Sequence, residues 1–386
     1  MRHLFLSWVM VFSFLTQAAA QPELTTKIAM TKFVRVAVVR DAADFILTIH
    51  GQFSVRDERT DKIIGGSHRI QKSVVKASAS GIMMDEGKYP YERLLIEPQK
   101  DATIYVNHRR FRGKITIIRT PNGRLTVVNT IDVEQYIQGV LYHEISHHWP
   151  MEAIKAQAVA ARTYAFYTMS LNAGRDYDLT NDIYSQVYGG KNSERIRTTQ
   201  GVQETKGLIL VYDGKVLPAY FHATCAGRTE DARELWDVHL PPLKGVICPY
   251  CKNSPHYYWK RNYRLGDIQN KLNSNGYHLG LIKEIAILDR DKSGRIKKLR
   301  ITARDGEQVL ISGKDFRNMI GPNDVRSNNY EITMQGYYMD VYGKGWGHGV
   351  GLCQWGALGM AQEHFDFKEI LNFYYPGASI VNERDL

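Results

Sequence analysis

The sequence predicts an α+β protein, because strand-like and helix-like segments are segregated along the chain and do not alternate. Residues 31–131 hold a succession of short β-branched segments with no helical period among them. Residues 132–171 then carry two stretches with apolar residues at helical spacing, and strand-like segments return after residue 207. No tandem repeat or low-complexity linker interrupts the chain. The expected organisation is a leader over 1–20, a β-rich region over 21–130 and a second, mixed region over 131–386.

The leader has a basic start at Arg2 and His3, an apolar run over residues 4–15 and small residues at Ala18-Ala19-Ala20, the pattern of a secretory signal. The run is too short to span a bilayer comfortably. Export to the periplasm or medium, without stable membrane insertion, is therefore expected. The formal net charge is +10, which favours anionic surfaces such as cell-wall polymers, lipid headgroups or nucleic acid. For an exported protein, nucleic acid is the poorest of these partners. The charge is spread, apart from short runs such as "NHRRFRGK".

In the β-rich region, "FVRVAVV", "FILTIHG", "ERLLIEP", "ATIYVN", "GKITIIRT" and "RLTVVNTI" read as strands. Asn122-Gly123 marks a hairpin turn between the last two. Asp132 then fits a helix N-cap, with Val133, Tyr136, Ile137, Val140 and Leu141 at helical spacing behind it. Pro150 suits the first turn of a second helix, which should end before Asn172-Ala173-Gly174 with Gly174 as its cap. Ile154, Ala158, Ala161 and Ala165 give that helix a stripe of mostly small residues, so other elements can approach it closely. It should be the central helix. Further on, "LILVYDG" and "KVLPAYFHAT" read as strands, and residues 284–306 as a hairpin about Ser293-Gly294. The C-terminal part reads as a strand, a Gly-rich loop and two helices.

Two groups of residues point to chemistry. His143-Glu144-Ile145-Ser146-His147 fits the H-E-x-x-H pattern of zinc proteases. That reading needs a third ligand, for which the following helix offers no Asp or Glu beyond Glu152, and a continuing helix, which Trp149-Pro150 break. Glu144 lies instead in a partly apolar setting that would raise its pKa toward acid catalysis. The second group is the cysteines, Cys225, Cys248, Cys251 and Cys353. His222-x2-Cys225 and Cys248-x2-Cys251 have the spacing of a closed structural zinc site, with His222 completing the set. Two disulfides are the alternative in an oxidising compartment. A redox pair at Cys248 and Cys251 is disfavoured, because no helix begins there to lower a thiol pKa.

Three blocks carry a resemblance to the SpoIID/LytB family. They are "PMEAIKAQAVAARTY" with the helix before it, "DIYSQVYGG" followed by "YFHATCAGRTEDARELW", and "GKGWGHGVGLCQWGALGMA" with "EILNFYYPG". Together they span residues 132–377. The resemblance implies peptidoglycan as the substrate or partner. SpoIID-like members are lytic transglycosylases that cut between N-acetylmuramic acid and N-acetylglucosamine and leave a 1,6-anhydro end; Glu144 stands where their catalytic acid does. Arg162, Tyr164, Gln186 and Tyr188 match family positions and are expected to bind sugar. Alternating glycines around His348 suit close passage of backbone beside a glycan, which makes His348 and Gln354 cleft residues. The family usually has serine where Cys225 and Cys353 stand, so the zinc site is not part of the resemblance. A lysozyme-like muramidase is a variant of this reading, and glycan stripped of peptides or deacetylated is a further option for the substrate. The alternative from the LytB side is a wall-binding module that enhances an N-acetylmuramoyl-L-alanine amidase without cutting glycan.

Overall fold

A computed structural model describes residues 32–182 and 185–386; the expected export signal lies outside them. The fold is α+β, as the segregated pattern requires. Six strands, Phe33–Ala42, Asp44–Asp57, Arg93–Pro98, Thr103–Val106, Lys114–Arg119 and Leu125–Asp132, form where the β-branched segments stand. They belong to one eleven-stranded sheet. The hairpin at Asn122-Gly123 closes with Gly123 at φ +74°, a conformation that glycine adopts without steric cost. A 16-residue strand, Ile63–Ser78, carries no clear alternation in sequence because most of it is exposed, and it forms by pairing with Asp44–Asp57 along its length.

Helix α1 (Val133–Glu144) begins as expected, with the Asp132 carboxylate accepting from the N–H groups of Glu134 and Gln135. Helix α2 (Met151–Leu171) starts one residue after Pro150, which occupies the N-cap position. It ends at Asn172, and Gly174 does not take the left-handed conformation of a glycine cap. The expected stripe of Ile154, Ala158, Ala161 and Ala165 is fully buried against the sheet and α1. Ala156, Val159 and Ala160 on another face are equally buried, but in a second core. Small residues on both faces therefore make α2 a wall between two cores.

That second core gathers α2, the Leu208–Tyr212 strand, and helices packed from further along the chain. Helix α3 (Ile196–Glu204) lies beside α1 and α2, and the short α4 (Ala232–Trp236) follows. A third core is built only from residues 259–341. It contains a hairpin, Ile282–Arg290 with Ile296–Ala303, as expected about Ser293-Gly294. Helices α5 (Leu265–Asn273) and α6 (Gly313–Ile320) pack on it. The strand Tyr338–Lys344 leads out of this unit into the Gly-rich loop, then to α7 (Gln354–Gln362) and α8 (Phe367–Tyr374), which pack on α2. A short parallel pair, Phe221–His222 with Leu352–Cys353, ties the loop to the second core.

Candidate active site

The end of α1 positions Glu144. The helix stops there because Ile145 turns extended, at φ −140° and ψ 159°, and buries its side chain in the first core. The loop from Ile145 to Pro150 is braced by Arg197, which donates to the carbonyls of His147 and Trp149 at 2.9 Å each. His143 and His147 therefore do not share a helical face. His143 Nε2 is bonded instead to Ser193 Oγ at 2.6 Å, while the His147 ring packs on His148. The H-E-x-x-H pattern is not a zinc-protease site.

Glu144 faces a cleft of about 1250 Å³, larger than the usual range of small-molecule pockets (about 300–1,000 Å³). Among the described residues lining it, Glu144 is the one carboxylate. Gln354 Nε2 donates to Glu144 Oε2 at 3.3 Å, and the Val187 backbone N–H also donates to the carboxylate. Both bonds favour the ionised form. Burial outweighs them and raises the Glu144 pKa to about 7. Its place at the C-terminal end of α1, where the helix dipole is negative, works in the same direction.

Aromatic rings line much of the cleft in two connected groups. Trp149 meets Trp355 at 5.4 Å, and His256 touches both Trp355 and Trp346. Tyr164, Tyr220, Trp236 and His348 form the other group, with Tyr220 and Trp236 only 4.5 Å apart. Lys314, Arg317 and Asn318 enter from α6, so the third-core unit supplies part of the wall. The α6 residues carried no motif in the sequence, and the tryptophans were not singled out there. Yet Trp236, Trp346 and Trp355 stand within the blocks that carry the family resemblance, and Trp149 five residues after Glu144.

The expected site residues divide into two sets. Tyr164, His348 and Gln354 line the cleft with Glu144. His348 spends its nitrogens on backbone: Nδ1 accepts from the Val350 N–H, and the ring donates to the Phe221 carbonyl. Burial holds its pKa down to about 3, so it offers the cleft a neutral ring. Arg162, Gln186 and Tyr188, expected to bind sugar, are not among the cleft-lining residues and are held in the framework. Arg162 is fully buried and grips both oxygens of Glu134, at 2.9 and 2.8 Å, joining α2 to α1. Gln186 Nε2 donates to the Ala161 carbonyl and Oε1 accepts from Tyr136 Oη. Tyr188 donates to Asn129 Oδ1 beneath the sheet.

The cysteines also differ from expectation. Four buried sulfurs, those of Cys225, Cys248, Cys251 and Cys353, lie within 4.8 Å of one another, close enough to hold a metal. His222 is not the fourth member. Its Nδ1 donates to the Val350 carbonyl at 3.1 Å, and its ring lines the cleft with Nε2 unpartnered. Local spacing favoured His222, whereas the parallel pairing of His222 with Cys353 brings the distant cysteine to the cluster.

These features define an α+β protein with an aromatic-lined cleft built, among the described residues, around one protonatable carboxyl. A family model described as stage II sporulation protein, SpoIID, matches residues 121–212, which contain α1, α2 and Glu144. A second model, a domain of unknown function (DUF8618), matches residues 250–351, which contain the third core. Stage II sporulation protein D of Bacillus amyloliquefaciens is 32% identical over 290 residues, covering 69% of this chain and 78% of that protein. An uncharacterized protein of Brachyspira hyodysenteriae is 36% identical over 92% of this chain and 94% of its own length. The amidase enhancer of Bacillus subtilis is 27% identical over 64% of this chain and 40% of its own length. The chain belongs to the SpoIID family.

Proposed function

We propose that this protein is exported and cleaves the glycan strands of peptidoglycan between N-acetylmuramic acid and N-acetylglucosamine, with Glu144 as acid and then base. The observation that carries this is a single cleft-lining carboxyl, among the described residues, whose pKa lies at about 7. Such a group is half protonated near neutrality and serves both directions of proton transfer.

Ordinary glycosidases use two carboxyls about 5–9.5 Å apart, one of them to form a covalent bond or activate water. A lytic transglycosylase does without the second. Glu144 gives its proton to the glycosidic oxygen as the C1–O bond breaks. The resulting carboxylate then takes the proton of the C6 hydroxyl while O6 bonds to C1. The net proton passes from O6 to the leaving oxygen, Glu144 is regenerated and no water is consumed. Because O6 is tethered to the reacting ring, proximity replaces the second carboxyl. Trp149, Trp355, Tyr220 and Trp236 supply rings on which pyranose faces stack, and Lys314 and Arg317 supply counter-charge to anionic substituents.

The test is mass spectrometry of products from intact, peptide-stripped and deacetylated peptidoglycan, with wild type and Glu144→Gln. The expected result is 1,6-anhydro ends from the wild type, reduced about 10²- to 10⁴-fold in the variant. Glu144-dependent reducing ends would make it a lysozyme-like muramidase. The similarity to an amidase enhancer favours a second reading, a glycan-binding partner of a cell-wall amidase. No cleavage of any of the three substrates, with amidase stimulation kept by Glu144→Gln, would replace the enzyme by that reading.

A further inference from the structure

We infer that Cys225, Cys248, Cys251 and Cys353 hold one zinc ion, which fixes the cleft wall carrying Gln354. The four sulfurs lie within 4.8 Å of one another, and all four residues are buried. A tetrahedral zinc with Zn–S bonds of about 2.3 Å has sulfur–sulfur edges of about 3.8 Å, so the cluster already has the size of that ligand shell. The 3.5 Å between Cys225 Sγ and Cys251 Sγ fits such an edge and exceeds the roughly 2.05 Å of a disulfide.

The surroundings suit the charge. Zinc bound by four thiols displaces four protons and leaves a centre of net charge −2. Donors converge on it: the Cys225 N–H to Cys353 Sγ at 3.2 Å, and Tyr374 Oη beside Cys248 Sγ at 3.1 Å. The buried Arg295 guanidinium bonds the Cys225 carbonyl at 3.1 Å, placing a cation next to the cluster. Room for the shell depends on Gly356, where a Cβ would come within 2.9 Å of Cys248 Sγ.

The ligands come from three separate stretches of chain, two of which also line the cleft. Cys225 follows His222 and Ala223, and Cys353 directly precedes Gln354, the partner of Glu144. A metal at this point therefore clamps the parallel pair Phe221–His222 and Leu352–Cys353 from behind. Its role is structural, since all four positions of the tetrahedron are filled by protein.

Metal analysis of the purified full chain, with thiols counted after denaturation, tests this without reference to glycan cleavage. We expect one zinc per chain and four thiols. Cys353→Ser should lose at least nine-tenths of the zinc, while His222→Ala keeps it. Should Cys353→Ser not fold, cobalt substitution of the wild type gives the same answer through the absorption of a tetrahedral tetrathiolate. Two disulfides, no zinc uptake by the reduced chain, or zinc lost with His222 and kept without Cys353 would each overturn the assignment. Hydrogen exchange reads the clamp: removing the metal should speed exchange across residues 350–358 at least tenfold. Unchanged protection there would overturn the clamp.

Discussion

Glu144 and Arg162 both lie on the helical pair after the sheet, and their environments give them opposite fates. Glu144 is pressed by apolar walls toward its neutral form, with Gln354 and the Val187 N–H partly opposing that pressure. Gln354→Leu removes a donor to the charged form and raises the pKa further above about 7. Because the acid form is then kept to higher pH, the alkaline limb of the pH–rate profile should move upward; a downward move would contradict the assigned hydrogen bond. Arg162 is fully buried, with Glu134 as its bidentate partner. Arg162→Met leaves that carboxylate without its cation, with the Gly207 N–H as a remaining donor, which should cost about 3–5 kcal/mol by denaturant unfolding. A companion Glu134→Gln should recover much of the loss.

At the level of elements, α1 sets the height of Glu144 and α2 sets the position of α1. The segment around Tyr188 also packs closely on α1: a Cβ on Gly139 of α1 would stand 2.5 Å from the edge of the Tyr188 ring. Tyr188 is itself fixed by Asn129 on the sheet, so it cannot yield freely. Gly139→Ala should therefore destabilise by about 1–3 kcal/mol through overpacking, despite the better helix propensity of alanine. Gly174→Ala, with nothing within 4 Å and an ordinary φ, is the matched control and should leave the melting temperature unchanged.

Across the whole molecule, the cleft is assembled from units with separate cores. The unit over residues 259–341 contributes Lys314, Arg317 and Asn318 to a wall whose opposite members come from α1 and the Gly-rich loop. Arg295 joins this unit to the rest, donating to the carbonyls of Arg228 and Cys225 and lying 3.9 Å from the buried Glu230. Burial raises the Glu230 pKa, and Arg295 opposes that shift. Arg295→Met should loosen the unit, seen as new sites of limited proteolysis within residues 259–341. It should also weaken glycan binding several-fold, although Arg295 does not line the cleft. Unchanged proteolysis would mean that the unit is held by other contacts.

Pattern alone determined the α+β class, the main strands of the sheet and both helices around Glu144, while the candidacy of Glu144 itself came from its local setting together with the family resemblance. Those features are written locally, in β-branched alternation, in an Asp N-cap, in a stripe of small residues and in a Pro break after a short motif. Tertiary structure decided which of the matched residues line the cleft. Arg162, Gln186 and Tyr188 look alike in sequence to Tyr164 and Gln354, yet the first three bond to Glu134, Ala161 and Asn129 in the framework. It also exchanged His222 for Cys353 in the cysteine cluster. Residue spacing reports only neighbours along the chain. A parallel strand pair joins residues 131 positions apart and leaves no local mark in the sequence.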